Sequence, residues 1–466
     1  MFPILLSLIA IPVIFLAASA LLGKRFSKLL ACASTALALA ISLYLVASSF
    51  SSGSASLSES YPFLASLSIN FSLRLTPVSL LLITMASIVL FVAALAGDIG
   101  ENSTKKSSFL LLLFQVAAMG IFLAGNLLVF FVFWDIALVA SFFFINVLGS
   151  GNRKQASLKF LIYEIFASSM LLLAIILLYT SLHSLSFSAL QNLSSVSGST
   201  RLAVLISILL AFFINMPIFP LHSWMPDAYT EAPTRGTMLL SGILSKFGGY
   251  GALLVLPYAI PSKSFAVYIA ALAAISLFYA AFSMLGQKDI KRALAYSSML
   301  EMGIVLLGIS SLSQIGIEGA AFAMFAYGII MALMFLDVGA LFYSFGERDM
   351  RVLKGALIEA KGLAYAFIFG IFAMVGVPLT SVFIGDLLVF MGAFSSFGVY
   401  GLVPLAAVIL LGAYFYFVVE KSFYGSKEHS KVIYVISKTQ SAGIGTLIFF
   451  MLLFGMLPFL LLNMFA

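Results

Sequence analysis

Six ionisable side chains stand deep inside apolar stretches of this chain: Asp135, Glu164, Lys246, Glu301, Asp337 and Asp386. A charge at the centre of a membrane helix costs about 2.5–3.5 kcal/mol on insertion scales. Six unpaired charges would be a heavy burden, so they are expected to face one another or a wet cavity. Carboxylates, a lysine and ordered water are the parts of a relay that passes protons or other cations across a membrane. Groups in such a relay interact, and they titrate as a set. Asp135 follows Trp134, Lys246 opens Lys-Phe-Gly-Gly-Tyr-Gly, and Asp386 lies shortly after Pro378. Asp337 is a candidate partner of Glu301, and Glu164, five residues past Lys159, is placed to approach one membrane face. The bland alternative at each position is a hydrogen bond that holds helices together. Two further polar groups, Asn215 and His222, flank a proline pair and complete the candidate set. Asp227, a few residues on, is expected to cap a helix start.

Holding such groups at mid-membrane depth takes helices of about 20 apolar residues. Hydropathy divides the chain into fourteen spans, at 3–22, 29–50, 75–97, 108–124, 126–149, 157–180, 202–219, 236–256, 265–285, 293–311, 317–343, 361–391, 399–421 and 443–463. Asp135 falls in span 5, Lys246 in span 8, Glu301 in span 10 and Asp386 in span 12. Two spans carry proline in mid-course. Span 7 ends in Asn215-Met-Pro-Ile-Phe-Pro-Leu-His222, and span 12 contains Gly376-Val-Pro-Leu-Thr-Ser-Val-Phe383. Proline removes a backbone hydrogen bond and clashes with the preceding turn; the freed carbonyls then need water, a polar side chain or an ion. The two breaks lie five spans apart, which gives them opposite orientation in the membrane. That is the pattern of an inverted repeat with broken helices at equivalent places. The expected organisation is three leading helices (1–107), one five-helix repeat (108–256), its inverted partner (265–421) and a closing helix (443–466).

Composition agrees with this all-α, polytopic fold. Of 466 residues, 63% are hydrophobic and 9% charged, against roughly a quarter charged in soluble domains. Twenty of the 24 basic residues fall in or beside the odd-numbered loops. Even-numbered loops hold Arg74, Arg201 and Lys263, and Lys246 lies within a span. The positive-inside rule then places both termini outside. The net charge of +7 is therefore read as topology rather than nucleic-acid binding. One cysteine, Cys32, and three scattered histidines offer no metal or iron–sulfur cluster, and no Gly-rich phosphate loop follows a strand pattern. No cofactor is expected in this chain, and no redox or nucleotide chemistry from it alone. The first span lacks a basic leader and cleavage site, so it is expected to stay as a helix. The Ser-rich stretches 47–58 and 181–199 read as outside loops without chemistry.

Four stretches carry a resemblance: Phe131-Val-Phe-Trp-Asp135; Phe219-Pro-Leu-His-Ser-Trp-Met-Pro-Asp-Ala228 with Glu231-Ala-Pro-Thr; Leu240-Ser-Gly-Ile-Leu-Ser-Lys-Phe-Gly-Gly-Tyr-Gly251; and Asp289-Ile-Lys-Arg-Ala-Leu-Ala-Tyr-Ser-Ser298 continuing to Met302-Gly303. In these the chain resembles the antiporter-like membrane subunits shared by respiratory complex I, the multisubunit (Mrp-type) Na⁺/H⁺ antiporters, and membrane-bound hydrogenases and sulfur reductases. The likeness runs from span 3 to span 13, and both tryptophans fall in the matching stretches. A chain ending after span 14 looks like the shorter members, which lack a lateral helix.

The departures are as informative as the matches. Asp135 stands where the family has glutamate, and Asn215 where it has the lysine that pairs with that acid. Lys246 matches the family lysine. Glu301 replaces a common histidine, Tyr327 and Met331 stand at the usual His and Lys places, and Asp386 replaces a lysine or glutamate. The resemblance implies an ion-translocating subunit, for H⁺, Na⁺ or both, in a redox-driven complex of the cell or another energy-transducing membrane. The subunit is not catalytic by itself. Implied partners are homologous antiporter-like membrane subunits and hydrophilic iron–sulfur subunits; nucleic acid is not among them. Two alternatives stay open: a multisubunit Na⁺/H⁺ antiporter without a redox partner, and a structural subunit whose transport path has decayed. The shift toward carboxylates is what keeps Na⁺ in view, since hard cations prefer oxygen donors.

Overall fold

In a computed structural model, the structure describes residues 3–52, 56–64, 69–98, 105–260, 262–346, 357, 360–424 and 436–465. The helices are α1 (Ile4–Leu21), α2 (Lys24–Ser52), α3 (Pro77–Ala96), α4 (Lys105–Leu123), α5 (Leu127–Leu148), α6 (Arg153–Leu182), α7 (Gly198–Asn215), α8 (Trp224–Glu231), α9 (Thr234–Ala259), α10 (Lys263–Leu285), α11 (Ile290–Ser310), α12 (Gln314–Phe345), α13 (Lys361–Met374), α14 (Ser381–Phe397), α15 (Leu405–Ser422), α16 (Lys438–Met456) and the short α17 (Phe459–Leu462). Among the described residues, thirteen helices are long and apolar enough to cross a membrane. The 18-residue α15 lies where the thirteenth expected span was placed.

Helix starts follow from local chemistry. Thr76 caps α3 in a reciprocal capping box with Ser79, and Pro77 fills the first turn, where no backbone N–H partner is needed. Asn126, Asp289 and Ser313 cap α5, α11 and α12 with side-chain oxygens. The interior is organised around α12, whose apolar window is wholly buried. Helices α3, α9, α11, α13, α14 and α16 pack around it. Its 32 residues give it the length to contact all of these helices. Outward faces of peripheral helices are apolar too; Ile162, Tyr268, Phe282 and Ile409 are exposed, as expected of a surface that meets lipid or other membrane subunits.

Both proline breaks interrupt helices. α7 stops at Asn215 and the chain turns through 216–223 before α8. Span 12 proves to be two helices, α13 and α14, separated by a turn in which Gly376 and Leu379 have φ of 75° and 79°. A residue without a Cβ adopts such a φ at no steric cost, which accounts for Gly376.

The Ser-rich connections hold more structure than loops. Leu57–Leu64 and Ile69–Leu75 form an antiparallel hairpin, and Phe187–Ser195 is a 3₁₀ helix. The hairpin serves the helices beneath it. Glu59 accepts hydrogen bonds from the backbone N–H groups of Leu5 and Leu6 at 2.9 and 3.0 Å. It thereby caps α1, whose own N-cap Pro3 makes no side-chain bond. Asn126 Nδ2 donates to the Asn70 carbonyl and to Ser72 Oγ, fixing the hairpin over the start of α5.

On the opposite face the basic residues meet. Lys105 donates to the Ala20 carbonyl at 2.7 Å. Asp227 joins Lys159 and Arg292 at 2.7 and 3.0 Å, so it bridges cations from two helices instead of capping α8. Arg235, read from sequence as a loop-edge charge, is buried: its Nη1 donates to Ser107 Oγ at 2.8 Å, and its Nε lies 3.5 Å from Asp98. These contacts bring residues beside loops 1, 3, 5, 7 and 9 to one face, as the charge alternation requires.

Candidate functional site

The first group of buried polar side chains is built by α5, α6, α7 and α9. Asp135 projects half-buried from α5, and Ser168 Oγ on α6 donates to its carboxylate at 2.6 Å. One turn earlier on the same face of α6 stands Glu164, 1% exposed. Its partner is Asn215, the last residue of α7, whose Nδ2 lies 3.3 Å from each carboxylate oxygen. Asn215 Oδ1 in turn accepts the backbone N–H of Gly248 on α9 at 2.8 Å. Gly248 makes that approach feasible, since a Cβ there would lie 2.7 Å from the Phe212 carbonyl. The break in α7 frees the Ile214 carbonyl, and Trp224 Nε1 donates to it at 2.9 Å. Asn215 thus occupies the expected lysine position as a two-ended amide that ties α6 to α9. The hydrogen-bond partner of Asp135 is Ser168. Glu164 does not reach toward the membrane face.

The second group surrounds Lys246, which is 0% exposed. Here α9 contains a π-helical segment, Leu240–Leu244. A π segment shifts the hydrogen-bond ladder and leaves carbonyls available to side chains. Lys246 Nζ takes one of them, the Ser241 carbonyl, at 2.6 Å, and lies 3.3 Å from Ser245 Oγ. The Leu240 carbonyl accepts from the Tyr229 hydroxyl at 2.9 Å. On α11, Glu301 is 3% exposed, and neither of its carboxyl oxygens has a hydrogen-bond partner among the described residues. Its electrostatic neighbours are Lys246 and Asp386. Asp386, on the first turns of α14 past the break, accepts a short hydrogen bond from the Tyr327 hydroxyl of α12.

These positions form a file across the molecule: Asp135 and Ser168, then Glu164 and Asn215, then Lys246, Glu301, and finally Asp386 with Tyr327. Two candidates lie off it. Asp337 is fully buried on α12, but no hydrogen bond or electrostatic neighbour ties it to Glu301. Seen down α12, Asp337 is turned well away from Tyr327, because ten residues at 100° each put the two about 80° off one another. His222 sits in the turn between α7 and α8, stacked on Phe219 and tilted against Tyr279 with centroids 5.8 and 4.7 Å away. It lies near the ion pairs of Asp227 and the Tyr163–Ser223 hydrogen bond of 2.7 Å.

Reading the sequence missed Tyr229, Ser168, Ser241, Ser245 and Ser298 as neighbours of the buried charges. Serine at helical spacing from an ionisable residue was the available signal: Ser168 is four residues from Glu164, Ser298 three from Glu301, and Ser245 adjacent to Lys246. Among the described residues no cluster of His, Cys, Asp and Glu has the makings of a metal site.

Comparison with known proteins agrees with this architecture. Residues 124–412 match the model of the NADH:quinone oxidoreductase/Mrp antiporter transmembrane family. The chain is 33% identical over 420 residues to F(420)H(2) dehydrogenase subunit M of Methanosarcina mazei, covering 87% of this chain and 84% of that one. It is 32% identical over 413 residues to NADH-quinone oxidoreductase subunit M of Rickettsia prowazekii, with the same coverage, 87% and 84%. Its fold is shared with a chain of respiratory complex I from Thermus thermophilus, at a TM-score of 0.88 and 24% identity, covering 99% of this chain and 98% of that one. A chain of the Mrp complex from Dietzia sp. gives a TM-score of 0.88 at 19% identity, covering 100% and 96%. A chain of an archaeal membrane-bound sulfane sulfur reductase gives 0.86 at 23%, covering 99% and 96%. This polytopic membrane protein is therefore an antiporter-like subunit and belongs to the NADH:quinone oxidoreductase/Mrp antiporter family.

Proposed function

We propose that this chain translocates protons as one membrane subunit of a redox-driven complex related to complex I. One observation carries the reading: a file of buried ionisable groups, from Asp135 to Asp386, runs through both helix breaks and the π segment of α9. Among the described residues, each of Asp135, Glu164 and Asp386 accepts from a single neutral donor, namely Ser168, Asn215 or Tyr327. A hydrogen-bond donor aimed at a carboxylate suits a proton relay. Lys246, held by a carbonyl instead of a carboxylate, is free to exchange its charge with Glu301. Glu164 supplies the buried acid beside α7, and its amide partner accounts for an asparagine at the lysine position. This favours a working path over a decayed one.

The two breaks support a division into inverted repeats at 108–256 and 265–421, after leading helices in 1–107 and before a closing helix in 443–466. The charge alternation supports both termini on the outside. The names of the relatives, each a subunit of an oxidoreductase or dehydrogenase, support membership in a multisubunit complex; the partners proposed for it are other antiporter-like membrane subunits and hydrophilic iron–sulfur subunits that perform the electron transfer.

The test is to isolate the complex through a tag on this chain, identify its subunits, and measure electron-transfer-driven proton uptake in vesicles. Lys246→Met and Glu301→Gln are expected to lower coupled uptake at least tenfold while the complex still assembles. Uptake unchanged in both variants would overturn the proposal, as would uptake that depends on Na⁺ at constant pH. Membrane partners alone, with no redox subunit, would favour a multisubunit antiporter.

A further inference from the structure

The file has a discontinuity at Asn215. An amide neither takes nor releases a proton, and both ends of this one are committed: Nδ2 to Glu164, Oδ1 to the Gly248 N–H. A proton on the Glu164 side that entered this bridge would end at a backbone amide. Another group must carry it to Lys246.

Tyr229 occupies that place. It lies on α8, just past the broken end of α7, and is fully buried. Trp224 and Phe335 hold its ring edge-on at 6.1 and 5.9 Å. Its hydroxyl donates to the Leu240 carbonyl at the start of the π segment. Ser245 and Ser298 are neighbours of that hydroxyl, and Glu164 and Glu301 are both within its electrostatic reach. From both serines the connection continues. Ser245 Oγ is 3.3 Å from Lys246 Nζ and donates to the Ser241 carbonyl that holds the lysine. Ser298 pairs with Ser241 Oγ at 3.4 Å and stands one turn from Glu301.

We propose that the Tyr229 hydroxyl is the link through which protons cross between the Glu164–Asn215 pair and the Lys246–Glu301 pair. A phenol can donate one hydrogen bond and accept another. In the step, with Lys246 as the neutral amine, the Tyr229 hydroxyl turns from the Leu240 carbonyl to Ser245 and accepts a proton from the Glu164 side, through water, as its own proton passes to Ser245 Oγ; Ser245 turns from the Ser241 carbonyl and releases its proton to Lys246 Nζ. The phenol ends neutral and Lys246 gains the charge that Glu164 gives up. Tyr229 is a relay residue here, and the Asn215 amide positions Glu164 beside it. The inference rests on reading the chain as a proton conductor.

The test uses the assembled complex in vesicles loaded with pyranine, with a potassium diffusion potential imposed by valinomycin. Tyr229→Phe keeps the ring and removes the hydroxyl; proton uptake is expected to fall at least tenfold with assembly unchanged. Tyr229→His restores a donor and an acceptor and is expected to recover a third or more of the rate. Should Tyr229→Phe fail to assemble, Ser245→Ala and Ser298→Ala read the same link, and the pair together is expected to slow uptake at least fivefold. Uptake within twofold of wild type in Tyr229→Phe, or in the double serine variant, while Lys246→Met abolishes it, overturns the role of Tyr229 and leaves the conductor reading intact. Uptake that survives Lys246→Met and Glu301→Gln overturns both.

Discussion

Replacing Asn215 with alanine tests whether the amide holds the two sides of the file together. The change removes the Nδ2 contact with both Glu164 oxygens at 3.3 Å and the 2.8 Å bond from the Gly248 N–H. The two 3.3 Å contacts share one NH₂ and are long, so they count as about one ordinary bond. Hydrogen bonds between membrane helices average about 0.6 kcal/mol and reach about 1.7 kcal/mol. Two such bonds put the loss near 1 kcal/mol, with an upper bound of about 3.5 kcal/mol. Burial decides where in that range the value falls. Glu164 and Gly248 are both buried, and a buried group left without its partner costs about 1–3 kcal/mol, more when charged. The expected destabilisation is therefore about 2–3 kcal/mol. The assay is the thermal transition of the detergent-solubilised complex, followed by size-exclusion chromatography of the tagged chain. Asn215→Ala is expected to melt several degrees below wild type, and Asn215→Ala with Glu164→Leu is expected to recover part of that loss, since no buried carboxyl is then left unpartnered. A single variant as stable as wild type, or a double variant whose loss is the sum of the two single losses, would refute the bridge.

Three further outcomes follow from the geometry. Asp337 is fully buried without a hydrogen-bond partner among the described residues and lies off the file, so Asp337→Leu is expected to leave proton uptake unchanged and to raise the melting temperature; a loss of uptake would return Asp337 to the path. Gly248→Ala places a Cβ 2.7 Å from the Phe212 carbonyl and is expected to cost about 1–3 kcal/mol by overpacking, seen as a lower melting temperature. Asp227 bridges Lys159 and Arg292 with side chains 30–38% exposed, so Asp227→Asn is expected to change stability by less than about 1 kcal/mol for each pair, a small effect that should shrink further at high salt.

Much of the fold was legible because lipid imposes simple rules on a chain. Twenty-residue apolar runs, proline at the breaks and the alternation of basic loops are local signals, and helices answer to them one by one. The hairpin at 57–75 was not legible. Its purpose is to cap α1 and hold α5 through Glu59 and Asn126, and both are contacts between residues more than fifty apart. The site divides along the same line. A buried charge is legible alone, since its cost marks it, and Asp135, Glu164, Lys246, Glu301 and Asp386 were all found that way. Partners are set by packing, so Ser168 for Asp135, Asn215 for Glu164 and the Ser241 carbonyl for Lys246 came only from the structure. The buried position of Arg235 was hidden for the same reason, because sequence spacing put it beside a loop.

The exchange at Asn215 shows why partners matter more than the inventory of charges. Counted by residue type, the chain has lost a lysine and its relay looks cut. Seen in place, an acid stands on α6 as Glu164, the Asn215 amide fastens it, and the proposed link to the next lysine is a tyrosine hydroxyl. A relay requires that each proton-accepting group have a donor within reach and a way to hand its charge onward. It does not require that the same residue type do so at the same helix. Lys246 makes the point most directly. A contact ion pair with Glu301 would pin its charge, whereas a carbonyl released by the π segment of α9 holds the ammonium without neutralising it. A lysine held in that way remains responsive to the charge state of Glu301, and through Glu301 to that of Asp386. In the proposed relay, the irregular turn of α9 is thus the feature that would couple the two sides of the file.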